Sequence, residues 1–247
     1  MTVQERQYAS SSDYSISSVA AETFGVLMHS PGKFIAIQFV AIVPAIVGYV
    51  LGGPTALVPG QGSGAWIIVI LAMVFGSIAH AAITVGAFES LRGHVFTVGH
   101  AVSVALSRMG TIFVVSITLT VIYVLGIVLL VVPGVIAMCM LYVALPVCVV
   151  ERAGVGDSIG RSRTLTKGFR WKIFGQVLAV YIPIYIAIFG IVYVIRQMGL
   201  PILALWVQQL LSVLLGSFAG ILGAVTYFRL RNLQEGVDLE RIAAVFD

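Results

Sequence analysis

Six stretches of the chain, at 34–53, 65–88, 111–132, 135–150, 173–195 and 203–228, are apolar and almost free of charge. A helix crosses a bilayer core with about 20 such residues, so these runs constrain the fold more than any other feature. Composition agrees. Of 247 residues 60% are hydrophobic and 10% charged, and the mean hydropathy is +1.07, whereas a soluble domain carries about 25% charged residues. Such a chain cannot cover a globule with polar surface, so lipid must be its solvent. No polar stretch is long enough for a separate globular domain. The expected fold is an all-α integral membrane protein: a six-helix bundle built from three helical hairpins, each preceded by a short amphipathic cytoplasmic helix. Residues 1–14 are expected as a flexible tail, 15–232 as the membrane domain and 233–247 as a cytoplasmic tail. The polar N-terminus lacks the basic and apolar regions of a cleaved signal, so the first spanning helix is expected to direct insertion.

The third and fourth runs are separated only by Val132-Pro133-Gly134. Proline removes a helical donor and glycine permits a turn, so Pro133 and Gly134 are expected to set a tight hairpin. The fourth run is short. Full spanning is expected for 111–150, with a re-entrant pair as the alternative. Cys139 and Cys148, nine apart on one straight helix, would lie about 13 Å apart, too far for a disulfide; both read as small buried hydrophobes.

Basic residues set the orientation. Thirteen of the 14 Lys and Arg fall in the N-terminal segment, the 89–110 link, the 151–172 link and the C-terminal tail, leaving only Arg196 opposite. The 54–64 loop has no charge. This asymmetry predicts cytoplasmic N- and C-termini and an even number of crossings.

A weak internal repeat follows the same layout. Val19, Val98 and Ile159 each lie 15 residues before an aromatic that opens a membrane run, at Phe34, Phe113 and Phe174. In the third link, a helix from about 157 puts Ile159, Ser162, Leu165, Thr166 and Phe169 on one face and Arg163, Lys167 and Arg170 on another. Asp157 or Ser158 is expected to cap it. Trp171 is expected at interface depth, with Lys172 able to snorkel. The residues expected to hold anionic lipid head groups are therefore Arg161, Arg163, Lys167, Arg170, Lys172 and Trp171; topology-setting charge is the plainer alternative. At 15–29, Ile16, Val19, Ala20, Phe24 and Leu27 form an apolar stripe opposite Ser18, Glu22 and His29. The 97–109 segment is weakly amphipathic.

Within the membrane runs, His80 is the one deep ionisable residue, in register with Ala72, Gly76 and Thr84. Such a group faces protein or a wet cavity, and a neutral imidazole bonded to a neighbouring helix is the expected state. Ser212, Gly216, Gly220 and Ala224 recur every four residues, a stripe for helix packing or for a dimer contact. Gln38, Gln176, Gln208 and Gln209 can bond between helices. Glu89 and Glu151 sit beside Arg92 and Arg152, as structural ion pairs do. No Walker loop, HExxH, GxSxG or metal-spaced His/Cys cluster occurs in the sequence, so no catalytic residue, metal or cofactor is expected. The basic residues track topology and do not suggest nucleic acid.

Pro133-Gly134, then an apolar helix from Pro146 to Glu151, then Arg161-Ser162, Leu165, Thr166, Gly168 and Trp171 form a pattern over residues 131–174. It resembles a stretch of the bacterial glycerophosphoryl diester phosphodiesterase membrane-domain family and its stand-alone inner-membrane relatives. The resemblance implies a multi-helix module of the bacterial cytoplasmic membrane. Some relatives fuse it to a soluble phosphodiesterase; this chain has no such domain, so that activity is not implied. The expected role is non-enzymatic: binding anionic lipid of the cytoplasmic leaflet or a membrane partner through a basic collar. The alternatives are a small-molecule or peptide exporter, and an accessory or assembly subunit of a larger complex.

Overall fold

The computed structural model describes residues 14–53 and 65–246, with side chains from Tyr14 to Gly53 and from Trp66 to Glu235. Among them there is no strand. The helices are α1 Ile16–His29, α2 Pro31–Gly52, α3 Ala65–Leu91, α4 Val98–Ser107, α5 Met109–Leu129, α6 Val131–Met140, α7 Ala144–Val150, α8 Val155–Leu165, α9 Arg170–Gln197 and α10 Pro201–Phe246. Six segments are long and apolar enough to cross a membrane: Pro31–Gly52, Trp66–Leu91, Met109–Leu129, Val131–Val150, Arg170–Gln197 and Pro201–Glu235.

The core lies where α2, α3 and α10 meet. Phe34, Ile37, Ile83, Ile221, Leu222 and Tyr227 are fully buried there. α2 also packs along α3, α5 along α6, and α9 along α10. α9 is peripheral, burying only Ile173, Gln176 and Val192. The side chains from Val128 to Val132 are all exposed and apolar, a surface suited to lipid.

The α5–α6 reversal differs from expectation in its pivot. The chain turns at Leu130, whose backbone is extended, and Pro133 and Gly134 lie inside the first turn of α6. Proline is tolerated there because the first-turn donors lack intrahelical partners. Gly134 instead permits close approach: a Cβ on it would meet Ile127 N at 2.7 Å, and one on Gly126 would meet Gly134 Cα at 2.7 Å.

The apolar run 135–150 is not one straight helix. It breaks at Leu141–Val143, leaving Cys139 on α6 and Cys148 on α7, both buried and free. The carbonyls the break releases are taken up by side chains. Ser162 Oγ and Thr166 Oγ1 donate to Met140 O at 3.0 and 3.1 Å, and Tyr123 donates to Leu141 O at 3.4 Å. Buried carbonyls need such partners, and here two polar residues of α8 supply them.

The expected tail boundaries also shift. α10 runs through 233 without a break. Tyr14, assigned to the flexible tail, is buried, and its hydroxyl donates to Gln176 Oε1. Residues 1–13 and the uncharged 54–64 loop lie outside the described residues.

Candidate functional site: the basic link and its groove

The link between α7 and α9 is built around α8. Its N-cap is Gly154; Ser158 donates its hydroxyl back to Gly154 O at 2.6 Å, so neither Ser158 nor Asp157 caps the helix as expected. α8 buries Ser158, Ser162 and Leu165, and Thr166 follows them inward, while Arg163 and Lys167 are exposed. Gly168, at φ 87, lets the chain turn into α9. At that turn Trp171 and Lys172 are exposed. Trp171 meets Phe174 edge-on at 6.0 Å, and Lys172 Nζ lies 5.8 Å from the Phe169 ring centroid.

Arg161 does not belong with those outward cations. Its Nε lies 3.2 Å from both Glu151 carboxylate oxygens, and its Nη2 donates to Glu235. Tyr227 donates to Glu151 Oε1 at 2.8 Å, and Arg231 Nε donates to Glu235 Oε2 at 2.8 Å. Arg161 is thus committed to a network that ties the link to α10, unlike the outward cations with which it was grouped. Burial alone would lower its pKa; the two carboxylates outweigh that and raise it above the usual guanidinium value. The other expected pairings change too. Glu151 meets Arg161 rather than Arg152, and Glu89 meets His94 at 3.1 Å rather than Arg92. Arg92 instead lies 5.6 Å from the Phe88 ring centroid. Glu151 and Arg152 are adjacent and do not face each other, and Arg92 lies past the end of α3, so sequence proximity misidentified the partners.

A second anchor holds α1. Arg229 Nε donates to Glu22 Oε2 at 2.6 Å and its Nη1 to Ser18 Oγ at 2.8 Å. The polar face of α1 therefore docks on α10, while Phe24 of the apolar stripe is exposed. Val19 and Thr23 are the buried residues. Tyr14 packs on Phe169 at 5.7 Å between ring centroids. Its burial, the largest influence, pushes the phenol pKa up to about 12. Tyr14, Tyr227, Glu22 and Glu235 were missed as parts of this site. Each comes from a distant helix, and no local pattern signals the meeting.

Arg170 completes the link and contrasts with Arg161. Its Nε is buried without a hydrogen-bond partner among the described residues. It lines a groove of about 450 Å³ with Trp171 and Phe174 of α9 and with Val131, Val132, Val135, Ile136 and Cys139 of α6. The walls are apolar except for the guanidinium.

Other expected positions fall elsewhere. His80 lines a separate groove of about 390 Å³ between α3 and α5, with Ser77, Ser116 and Thr120. No hydrogen bond of its ring to a neighbouring helix is present among the described residues. The small-residue stripe of α10 faces inward in part. A Cβ on Gly220 would meet Ile83 Cγ2 at 2.6 Å, Gly216 faces the Gln38 amide, and Ala224 is buried. Ser212 lines a groove between α9 and α10. Gln176 bonds between helices, donating to Thr226 Oγ1 at 3.0 Å, whereas Gln38 Oε1 is buried without a partner. Among the described residues no His, Cys, Asp or Glu group is arranged to hold a metal. No model of a known protein family matches the chain, and neither does any curated protein or solved structure.

Proposed function

We propose that this is a non-enzymatic multi-pass protein of a bacterial inner membrane that holds anionic lipid on its cytoplasmic side. One observation carries the reading: Arg163, Lys167, Trp171 and Lys172 are exposed together around the α8–α9 turn. Each cation near an anionic leaflet contributes about 1 kcal/mol, and a tryptophan beside them suits the head-group zone. Thirteen of 14 basic residues on one side support cytoplasmic termini. The packing of α2 on α3, α5 on α6 and α9 on α10 supports three hairpin units, fed by α1, α4 and α8 as interfacial helices. The likeness of residues 131–174 to the membrane-domain family fits such a module.

In this reading α5 and α6 dip into the cytoplasmic leaflet and return, the alternative that the short fourth run left open. Glu151 meets Tyr227, and Pro146 lies by Gly223, so α7 runs inward along α10. After the break, Tyr142 lies beside Gln176 and Cys139 beside Arg170, so α6 heads back toward the start of α9. Val131 and Val132 reach the same groove as Arg170 and Trp171. The groove residues cover about 12 Å of α6 and about 6 Å of α9, against a core of about 30 Å. Both return paths keep the termini on one side.

The test is lipid retention. Neutralising Arg163, Lys167 and Lys172 together is expected to lower the ratio of anionic to zwitterionic phospholipid that co-purifies, read by mass spectrometry. An unchanged ratio removes the collar. Topology has its own test: a cysteine replacing Val131 is expected to react with an impermeant thiol reagent in inside-out vesicles, and reaction only in right-side-out vesicles restores full spanning.

Export of a small molecule is a second reading, supported by the groove beside His80 with its three hydroxyl residues. It requires water there. If Ser116→Cys stays unreactive to small hydrophilic thiol reagents from both sides, this reading fails.

A further inference from the structure

The geometry points to a single-lipid site: the groove between α6 and α9 takes one acyl chain of an anionic glycerophospholipid, with its phosphate on Arg170. This rests on the collar reading but goes beyond it, because the collar attracts anionic surface in general and the groove selects one molecule.

The argument starts from an imbalance inside the protein. A buried guanidinium normally finds carboxylates or carbonyls. Arg161, nine residues earlier, has two carboxylates. Arg170 is half-buried at the start of α9, and its Nε is covered without an acceptor among the described residues. The carboxylates around the link do not fill the gap: Glu151 and Glu235 are held by Arg161 and Arg231, Glu22 by Arg229, and no ion pair joins Asp157 to Arg170 among the described residues.

The acceptor that fits is anionic, because a charged acceptor is what repays the desolvation of a guanidinium. It is also amphiphilic. Below the cation the walls are Val131, Val132, Val135, Ile136 and Phe174, which offer nothing to a hydrated anion and a continuous apolar surface to a hydrocarbon chain. Val131 and Val132 are largely exposed, so the groove opens sideways to lipid. A peptide would leave its backbone groups unsatisfied against those walls. Trp171 lines the groove beside Arg170, and an indole next to a cation suits the head-group zone. One glycerophospholipid supplies the charge and the chain in a single molecule.

The test uses the full chain, delipidated in a neutral detergent and titrated with phosphatidylglycerol or phosphatidylcholine under native mass spectrometry. Wild type is expected to bind one phosphatidylglycerol more tightly than the rest, and more tightly than phosphatidylcholine. Arg170→Gln is expected to weaken that first event about tenfold, as loss of one charge-assisted contact does, and Arg170→Lys to restore part of it. Ile136→Trp, which fills the groove, is expected to weaken it with Arg170 intact; Val132→Trp, at the exposed rim, serves if that variant does not fold. If these variants keep wild-type affinity while Arg163→Gln/Lys167→Gln loses it, the groove site is wrong and the collar stands. If the groove variants alone lose affinity, the site stands and the collar falls. Equal first binding of both lipids by wild type overturns the head-group assignment.

Discussion

Arg161 and Arg170 lie nine residues apart in one basic link, and the fold uses them in opposite ways. Arg161 is about a third exposed and holds two carboxylates, Glu151 and Glu235. Arg170 lines an apolar groove, and its Nε is covered without an acceptor among the described residues. The first is internal architecture, joining the end of α7, the middle of α8 and the C-terminal half of α10. The second is an unmet demand at the lipid boundary. A positive charge in a membrane protein's loop is thus not one kind of thing. What distinguishes the two is whether the protein supplies the counter-charge or leaves it to the surroundings.

Breaking the first half of the comparison has the largest expected effect. Arg161→Ala leaves Glu151 and Glu235 without that partner, and unmade charged hydrogen bonds of this kind cost about 1–3 kcal/mol each. Thermal unfolding in detergent is expected to show a clear loss for Arg161→Ala and a smaller one for Arg161→Lys, which keeps the charge but not the fork. Equal stability of all three proteins would mean that the network holds nothing together. Tyr227→Phe removes only the hydroxyl donated to Glu151, so a loss of about 1 kcal/mol is expected.

Next in size is the set of contacts that positions the start of α9. Tyr14 packs on Phe169, the residue before Arg170, and bonds Gln176 about two turns on. Burial raises its pKa from 10.0 to about 12. The folded protein therefore keeps the phenol proton where the unfolded chain has lost it. Stability is intact below pH 10 and falls as pH rises from 10 through 12, by roughly 3 kcal/mol in all. Tyr14→Phe is expected to lose about 1 kcal/mol at neutral pH and to flatten the profile in that window. If the wild-type profile is already flat between pH 10 and 12, α1 is not docked through Tyr14.

The sequence made part of this legible. Six apolar runs and skewed cations are local statistics, and the helices follow them within a few residues except that the fourth run splits into α6 and α7 and α10 continues to Phe246. The exposed face of the third link, Arg163 and Lys167, follows from helical periodicity alone. Partners do not. Glu235 reaches Arg161 from 74 residues away and Glu22 reaches Arg229 from 207 residues away, and neither spacing has a pattern to read. The break at Leu141–Val143 was invisible for another reason: Leu, Tyr and Val are acceptable within a helix, and the turn is stabilised by Ser162 and Thr166 of a different element. Pro133 and Gly134 were expected as the pivot, yet the break between α5 and α6 falls at Leu130, and the glycine serves where the two helices touch.

The smallest effect is the one that separates the two arginines most sharply. Arg170→Met removes an unpartnered guanidinium from an apolar wall and replaces it with a side chain of similar length. In lipid-free detergent the change in stability is expected to lie within about 0.5 kcal/mol of zero or to favour the variant, because a desolvated cation without a partner contributes nothing to the fold. Adding phosphatidylglycerol reverses the order. A ligand that binds the folded state stabilises it by RT ln(1 + [L]/Kd), about 2.7 kcal/mol at a hundredfold excess over Kd, and only the protein with the cation gains that in full. Arg161→Ala is destabilised in both conditions by the same amount, since its counter-charges come from the chain. If added phosphatidylglycerol raises the unfolding temperatures of wild type and Arg170→Met in parallel, the two arginines differ in partners but not in purpose.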